Sequence, residues 1–406
     1  MTTITSTTRT VRGPWASLAA APTKNLFVLH LVNDGLQAFL LTALPIVAAS
    51  LAVTQAQCGS LTAAHFAVGV FLALPATRLL SRFSGERLLG AGLAINGLCF
   101  VMLAMTYSTA SLWVVFLLAG VGFGSFHPIA FALLAERTSS SRRSSMMGWF
   151  TALGDIGRVA IGSLLLFLAA TYGWRGIAAT GGVLAAAAGI GMFFKLGSQS
   201  PQSSCAQSHS EPQGGFRYRQ LANADFICIT SIGFFDALAN AGLAVFLPFA
   251  LLDAGVSVHT LPLLTGVFFT ASIFGKAWMG TLADRFGNMK SIAMCQLANI
   301  VGILIVVYSN HFALLVAGVA VLGITNKGSL PAIMSKTSQS VSDSISRNAI
   351  GVNQLALGVA TTLSPLLYGI VSSCVVSGRL VCLASIAVNA VALLLASVTG
   401  RDSMRP

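Results

Sequence analysis

Long apolar stretches alternate with short polar segments along almost the whole chain. A helix rises 1.5 Å per residue, so about 20 apolar residues cross a hydrocarbon core of roughly 30 Å. The pattern therefore predicts twelve membrane-spanning helices. They lie near residues 25–51, 59–81, 88–107, 111–134, 146–170, 175–196, 222–251, 259–282, 290–308, 311–335, 348–373 and 379–399.

A polar segment divides the predicted spans into two sets of six. It is rich in Ser, Gln, Gly and Pro, as flexible linkers are. We therefore predict a tail 1–24, a first six-helix half 25–196, a linker 197–221, a second half 222–399 and a tail 400–406.

Composition agrees with an all-α membrane protein. Apolar residues make up 55% of the chain and charged residues only 8%, which excludes an ordinary soluble domain. With the first tail in the cytoplasm, nearly all Lys and Arg residues fall on the cytoplasmic side, and only Arg175 and Arg379 fall outside. This positive-inside pattern predicts that both tails are cytoplasmic. It accounts for the net charge of +12 without a nucleic-acid-binding surface.

No motif indicates an enzyme. The seven cysteines lack the paired spacing of a disulfide framework or a zinc site. A phosphate loop, an HExxH motif and a nucleophile elbow are missing from the sequence, and the intramembrane histidines are scattered over separate predicted helices. We predict no enzymatic activity, no cofactor and no metal site.

An internal repeat appears when the two halves are aligned with an offset of 203 residues. Two parallel six-helix repeats place a binding site between them near the middle of the membrane. The matching positions are Pro45 with Pro248, SRFSGER (81–87) with DRFGNMK (284–290), Gly120 with Gly323, Pro128 with Pro331, and Gly148 with Gly351.

The loop string GTLADRFGNMK (280–290) resembles the loop signature of the major facilitator superfamily. The resemblance implies that Asp284 and Arg285 brace neighbouring helix ends and help to gate the conformational change, with Arg82 in the corresponding role in the first half. In that half, Ser81 stands where the signature has its acidic residue.

Two further segments resemble the fosmidomycin-resistance branch of drug and metabolite exporters. They are HLVNDGLQ (30–37), which is followed by Pro45, and GVGFGSFHP (120–128). This resemblance implies proton-coupled efflux of a small organic compound and a bacterial inner membrane.

A polar stripe runs along the first predicted span. His30, Asn33, Asp34 and Gln37 are spaced at i, i+3, i+4 and i+7, and Asp34 lies about 14 Å along the helix from Asn25. A carboxylate at that depth costs several kcal/mol unless it is paired, hydrated or protonated. We therefore predict that Asp34 carries the coupling proton and that His30 relays it. The alternative is a structural hydrogen-bond network.

The fourth and fifth spans add further candidates for substrate binding. His127 precedes Pro128, and a proline within a helix leaves a backbone carbonyl without its hydrogen bond. We predict that His127 binds substrate. The alternative is that it is a packing residue, as lone histidines often are. Asp155 and Arg158 are spaced to pair within one helix, and an anionic ligand can compete for the arginine. A purely structural ion pair is the alternative. Gly148, Gly154, Gly157 and Gly162 permit close helix packing.

Polar residues also interrupt the spans of the second half. Asp236 is a further proton-coupling candidate, and Lys276 either faces the binding site or extends toward the cytoplasmic surface. The substrate-binding candidates of both halves are Asn33, Gln37, His127, Asp155, Arg158, Asn240, Lys276, Asn326, Lys327, Asn353 and Gln354.

Together these patterns predict a monomeric, proton-coupled secondary transporter in the lipid bilayer. Its substrate would be a small anionic or zwitterionic organic compound, exported by alternating access. One alternative is a symporter that imports a small anionic solute or a metal chelate, because a polar cavity does not reveal direction. The alternative of another class is a membrane sensor or enzyme on the same fold.

Overall fold

The computed structural model of the chain describes residues 21–138, 143–195, 221, 223–375 and 377–402. These residues form helices joined by short turns, and no strand occurs among them. The predicted linker 197–221 lies outside the described residues except for Leu221. The first helix begins at Ala21 and the last continues to Asp402, but their candidate membrane-spanning parts begin at Asn25 and end at Val398.

Twelve spans follow one another in the order predicted. Eleven helices are long and apolar enough to cross a membrane, and one bent pair supplies the twelfth span. The helices of the first half are Ala21–Thr42 with Leu44–Leu51, Gln55–Arg78, Gly85–Ala104, Thr109–Arg137, Arg143–Gly157 with Arg158–Ser163 and Leu164–Tyr172, and Trp174–Lys195. Those of the second half are Ala224–Asp253, Leu261–Phe286, Asn288–Tyr308, Phe312–Thr325 with Leu330–Gln339, Asp343–Cys374, and Gly378–Val381 with Leu383–Asp402.

Four spans contain interruptions that the hydropathy pattern does not predict, and in the twelfth the break is the single residue Cys382. The first span bends by 42° between its two helices, where Pro45 lacks the N–H of a regular helical turn. Within the fifth span, Arg158–Ser163 is π-helical, a form frequent at functional sites. The tenth span stops at Thr325 and resumes at Leu330.

The two halves repeat the same helix packing. In the first half, the third span packs along the sixth, the second along the fourth, and the first along the fifth. The corresponding pairs of the second half are the ninth with the twelfth, the eighth with the tenth, and the seventh with the eleventh. This agreement supports the internal repeat found in the sequence.

The halves contact each other through the second and eleventh spans and through the fifth and eighth. We call the membrane side that carries Arg82 and Arg285 the basic side. One close contact lies near the opposite side, where a Cβ on Gly59 would overlap the carbonyl oxygen of Pro365 and approach Gly369. The fifth and eighth spans also meet on the part of the fifth span that begins at Arg143, toward the basic side.

Candidate functional site

The first and fifth spans meet around the buried carboxylate of Asp34. Arg158 donates from Nη2 to Asp34 Oδ2 over 2.8 Å and from Nη1 to Asp155 Oδ1 over 3.1 Å. The bond to Asp155 confirms the pair predicted within the fifth span. The bond to Asp34 joins residues far apart in the sequence, so helical spacing alone does not predict it.

Lys276 extends this arrangement into the second half. Its Nζ forms an ion pair with the second carboxylate oxygen of Asp155. The lysine is 19% exposed and points to this partner, so the alternative that it extends to the membrane surface is wrong. We call Asp34, Arg158, Asp155 and Lys276 the charge chain. It balances two acidic and two basic groups and links the two halves.

Glycines of the fifth span make this approach possible. A Cβ on Gly154 would lie 2.7 Å from Asp34 Oδ2 and 2.6 Å from His30 Cε1. At Gly157, a Cβ would overlap the backbone of Leu31. Real Cβ atoms do not approach their neighbours so closely, and the two backbones can therefore meet only where these side chains are absent.

Two histidines from different spans meet beside Asp34. We call His30 and His127 the imidazole pair, because their Nε2 atoms are 3.2 Å apart. His30 Nε2 lies 3.4 Å from Asp34 Oδ2, and His127 Nε2 lies 3.4 Å from Asp34 Oδ1. The two histidines lie on separate helices, as the sequence predicts, and the packing of the first span against the fourth brings them together.

The remaining polar residues of the first span also face the protein. Asn33 donates to Asp34 Oδ1 over 3.2 Å and accepts a bond from Asn96 of the third span over 3.2 Å. Gln37 Nε2 lies 3.3 Å from the Nε2 of His65 in the second span. The polar stripe thus contacts other helices along its length. This is expected because exposing polar side chains to lipid costs free energy.

Asp236 lies in a separate buried cluster within the second half. Its Oδ1 accepts bonds from Gln296 over 2.6 Å, from Ser329 over 2.7 Å and from Asn240 over 3.2 Å. Asn299 donates in turn to Asn240 over 2.9 Å. We call these five residues the Asp236 network. Among the described residues, no basic side chain forms an ion pair with Asp236, unlike Asp34.

The 203-residue offset relates the two buried clusters. It places Asn33 on Asp236, Gln37 on Asn240, and Asn96 on Asn299. Four members of these clusters are not among the site residues predicted from the sequence: Asn96, Gln296, Asn299 and Ser329. The internal repeat could have identified Asn96 and Asn299 from the sequence, because it aligns these two asparagines with each other within apolar spans. Gln296 and Ser329 align with Leu93 and Phe126, so the repeat does not reveal them.

Lys327 occupies the break in the tenth span. Its φ of 58° is left-handed, which is uncommon for a residue other than glycine. The side chain is exposed, and its charge interacts with those of Arg158, Lys276, Asp155 and Asp34. Among the described residues, no carboxylate forms an ion pair with Lys327. Lys327 is therefore an exposed basic group that interacts electrostatically with the charge chain.

Three other predicted site residues bond to groups outside the charge chain. Asn353 is buried and donates to Thr337 over 3.1 Å, and Gln354 is exposed and donates to the sulfur of Met334 over 3.4 Å. Asn326 is buried at the end of the helix Phe312–Thr325, where its backbone oxygen accepts a bond from Ser272.

The predicted gating residues Asp284, Arg285 and Arg82 are exposed on the basic side. Within the described ranges, neither Asp284 nor Arg285 joins an ion pair, and their gating role stays a prediction. Arg285 instead lies 5.3 Å from the ring of Phe286. In the first half, an ion pair joins Arg137 to Glu86, next to the loop where the acid of the signature is missing.

Solved structures of transporters share this architecture. A bacterial homologue of the human lysosomal transporter Spinster, inward-facing and unoccupied, aligns with a TM-score of 0.76 at 15% identity over 93% of this chain and 95% of the other. A point mutant of the nucleoside transporter NupG aligns with a TM-score of 0.80 at 13% identity, over 92% of this chain and 98% of the other. At such identities the likeness concerns the fold. No curated protein matches the chain in sequence.

The sequence also matches a protein family over most of its length. The profile described as Major Facilitator Superfamily covers residues 26–225 and 229–405. This match takes in both six-helix halves and every residue of the charge chain. The chain therefore belongs to the Major Facilitator Superfamily, and its fold is that of the superfamily's transporters.

Proposed function

We propose that this protein is a proton-coupled secondary transporter that exports a small anionic or zwitterionic organic compound by alternating access. The observation that carries the proposal is the charge chain, which joins the two halves through the ion pair of Lys276 with Asp155. A rocking motion of the halves has to change this contact, and a ligand that binds one arrangement better than the other shifts the equilibrium.

The charge of the site favours an anionic group on the substrate. Within the charge chain, two carboxylates balance two basic groups. Lys327 adds an exposed positive charge with no carboxylate partner within the described ranges. Arg158 is 16% exposed, so a substrate anion can reach it and compete with the carboxylates for its guanidinium.

Protonation of Asp34 would couple the proton to this rearrangement. A neutral Asp34 holds Arg158 less strongly, because the bond between them is an ion pair at 2.8 Å. The imidazole pair links Asp34 to the exposed edge of His127 and offers a path for the proton. Asp236 is buried without a basic partner, so protonation would lower the free-energy cost of burying its carboxyl group. It is therefore a second candidate for carrying the proton.

The direction of transport is inferred from the resemblance to the exporter branch. The segments 30–37 and 120–128, which carry that resemblance, supply His30, Asp34 and His127. We infer export across a bacterial inner membrane. An importing symporter would use the same residues, and the assay below separates the two.

Transport in inside-out vesicles tests the proposal. A fluorescent probe reports the proton gradient while phosphonates, carboxylate metal chelators and cationic dyes are added to wild type, Asp34→Asn and His259→Ala. His259 lies in an exposed turn away from the site. An anionic compound should dissipate the gradient in wild type and in His259→Ala but not in Asp34→Asn.

Two results would contradict the proposal. If Asp34→Asn responds like wild type to an accepted compound, Asp34 does not carry the coupling proton. If compounds move only in right-side-out vesicles, together with inward proton flow, the protein is an importer. A sensor or enzyme on this fold would retain its activity in Asp34→Asn and move no compound in either orientation.

A further inference from the structure

We propose that the imidazole pair and Asp34 bind a divalent transition-metal ion, which arrives as its complex with a small anionic chelator. The substrate class of the proposed transporter is then a metal chelate. The inference rests on the proposed function for the anionic part of the ligand, whereas the metal contacts belong to the imidazole pair and Asp34.

The separations between the ligand atoms suit one metal ion. His30 Nε2, His127 Nε2 and an Asp34 oxygen all lie within 4.8 Å of one another. The two Nε2 atoms are 3.2 Å apart. Two nitrogens bonded to one ion at about 2.1 Å are separated by about 3.0 Å in octahedral and about 3.4 Å in tetrahedral geometry. The observed value lies between the two, so little movement is needed.

The contacts of His30 orient its ring so that Nε2 can bind a metal ion. Its Nδ1 lies 2.7 Å from the carbonyl oxygen of Phe150 and must donate to it, since a carbonyl can only accept. In the neutral ring the proton is therefore on Nδ1, and the Nε2 lone pair points to His127. The ring is also stacked on Phe150 and Phe126. Such orienting contacts are typical of histidines that bind metals.

An ion can reach the cluster only from the side of His127. His30 and Asp34 are each 2% exposed, while the side chain of His127 is 35% exposed. The coordination positions that the protein leaves open would be on this accessible side. Two imidazoles and a carboxylate favour Zn²⁺, Ni²⁺, Co²⁺ and Cu²⁺ over Mg²⁺ and Ca²⁺, which prefer oxygen ligands.

The charges around the cluster argue for a chelate over a free ion. The positive charges of Arg158 and Lys327 both act on His127, and Arg158 bonds to Asp34 itself. These charges repel a bare cation. An anionic chelator carries the metal to the imidazoles and presents its own carboxylates to Arg158 and Lys327. Metal binding to Asp34 would release Arg158 and so alter the charge chain.

Calorimetry with nickel nitrilotriacetate provides the test. This chelate leaves two coordination positions free, which match the imidazole pair. The full chain is purified in detergent without a histidine tag and titrated with the nickel complex and with nitrilotriacetate alone. Wild type should bind the nickel complex about tenfold or more tightly than the free chelator. His127→Ala should lose this preference, and His259→Ala should retain it.

Several controls keep the outcomes separate. His127→Gln repeats the test with a bulkier residue, and melting temperatures show whether each variant is folded. Titration with Co²⁺ alone, read by its visible absorption, measures the metal contacts without a chelator. The inference is overturned if wild type does not prefer the nickel complex, or if both His127 variants keep the preference.

Lys327→Asn separates this inference from the proposed function. Asparagine tolerates the left-handed backbone at this position but removes the charge. Weaker binding of both nitrilotriacetate forms supports an anion site. If Lys327→Asn binds both forms like wild type while His127→Ala loses the nickel preference, the metal site stands and the anion site of the proposed function is wrong.

Discussion

The two halves of the protein bury a carboxylate at nearly the same depth but surround it differently. Asp34 is paired with Arg158 and belongs to the charge chain that reaches the other half. Asp236 receives its bonds from an amide, a hydroxyl and a second amide, all within its own half. The shared helix packing is thus retained while the chemistry has diverged. The carboxylate of the first half is held by a charged partner, and that of the second half by neutral ones.

Removal of the cation from the charge chain should have the largest effect. Arg158→Gln leaves Asp34 and Asp155 without their shared partner, and loss of one member of a buried pair costs about 3–5 kcal/mol. We expect a clearly lower melting temperature in detergent and no transport. The double variant Arg158→Gln with Asp34→Asn should regain part of the stability. A single variant that melts like wild type would contradict the ion pairing.

The two carboxylates themselves should respond differently to neutralisation. Asp34→Asn removes an ionic bond to Arg158 and should cost about 1.5–3 kcal/mol. Asp236→Asn keeps an oxygen that can accept the bonds of Gln296 and Ser329, and should change the stability by about 1 kcal/mol or less. Melting temperatures of the two variants, measured side by side, compare the halves. Equal losses would show that both carboxylates are held in the same way.

The close approach of the first and fifth spans gives a third test. Gly154→Ala places a methyl group against His30 and Asp34, and overpacking of this kind costs about 1–3 kcal/mol. Gly176→Ala is the matched control, because no atom lies within 4 Å of its added Cβ. Only the first variant should lower the melting temperature. If both behave alike, the contact between the spans is looser than the structure indicates.

The contact between the halves should show the smallest effect. Lys276→Gln removes a partly exposed ion pair worth about 1 kcal/mol, which shifts the ratio of the two arrangements about fivefold. Spin labels on cysteines introduced at Phe83 and Lys290, one in each half on the basic side, would report the shift as a change in their distance distribution. Lys336→Gln, on the same side, is the control. An unchanged distribution would show that this ion pair does not hold the halves.

The architecture of the protein follows from its amino-acid sequence alone. Twelve apolar stretches, the asymmetric placement of Lys and Arg, and the 203-residue repeat are properties of local composition and spacing, because a membrane requires long apolar helices with satisfied backbones. The pair of Asp155 with Arg158 also follows from helical spacing, since both residues lie on one helix. The outer limits of the spans also agree, since the candidate spans of the structure start at Asn25 and end at Val398, where the hydropathy pattern predicts 25 and 399.

Which polar groups meet, in contrast, depends on tertiary packing. Arg158 and Asp34 are 124 residues apart, and Lys276 and Asp155 are 121 residues apart. Their contacts depend on how helices pack, which the spacing within one helix does not reveal. The meeting of His30 with His127 likewise depends on the fourth span lying against the first. The break at Lys327 arises where tertiary packing tolerates a left-handed residue in a segment that hydropathy predicts as continuous helix.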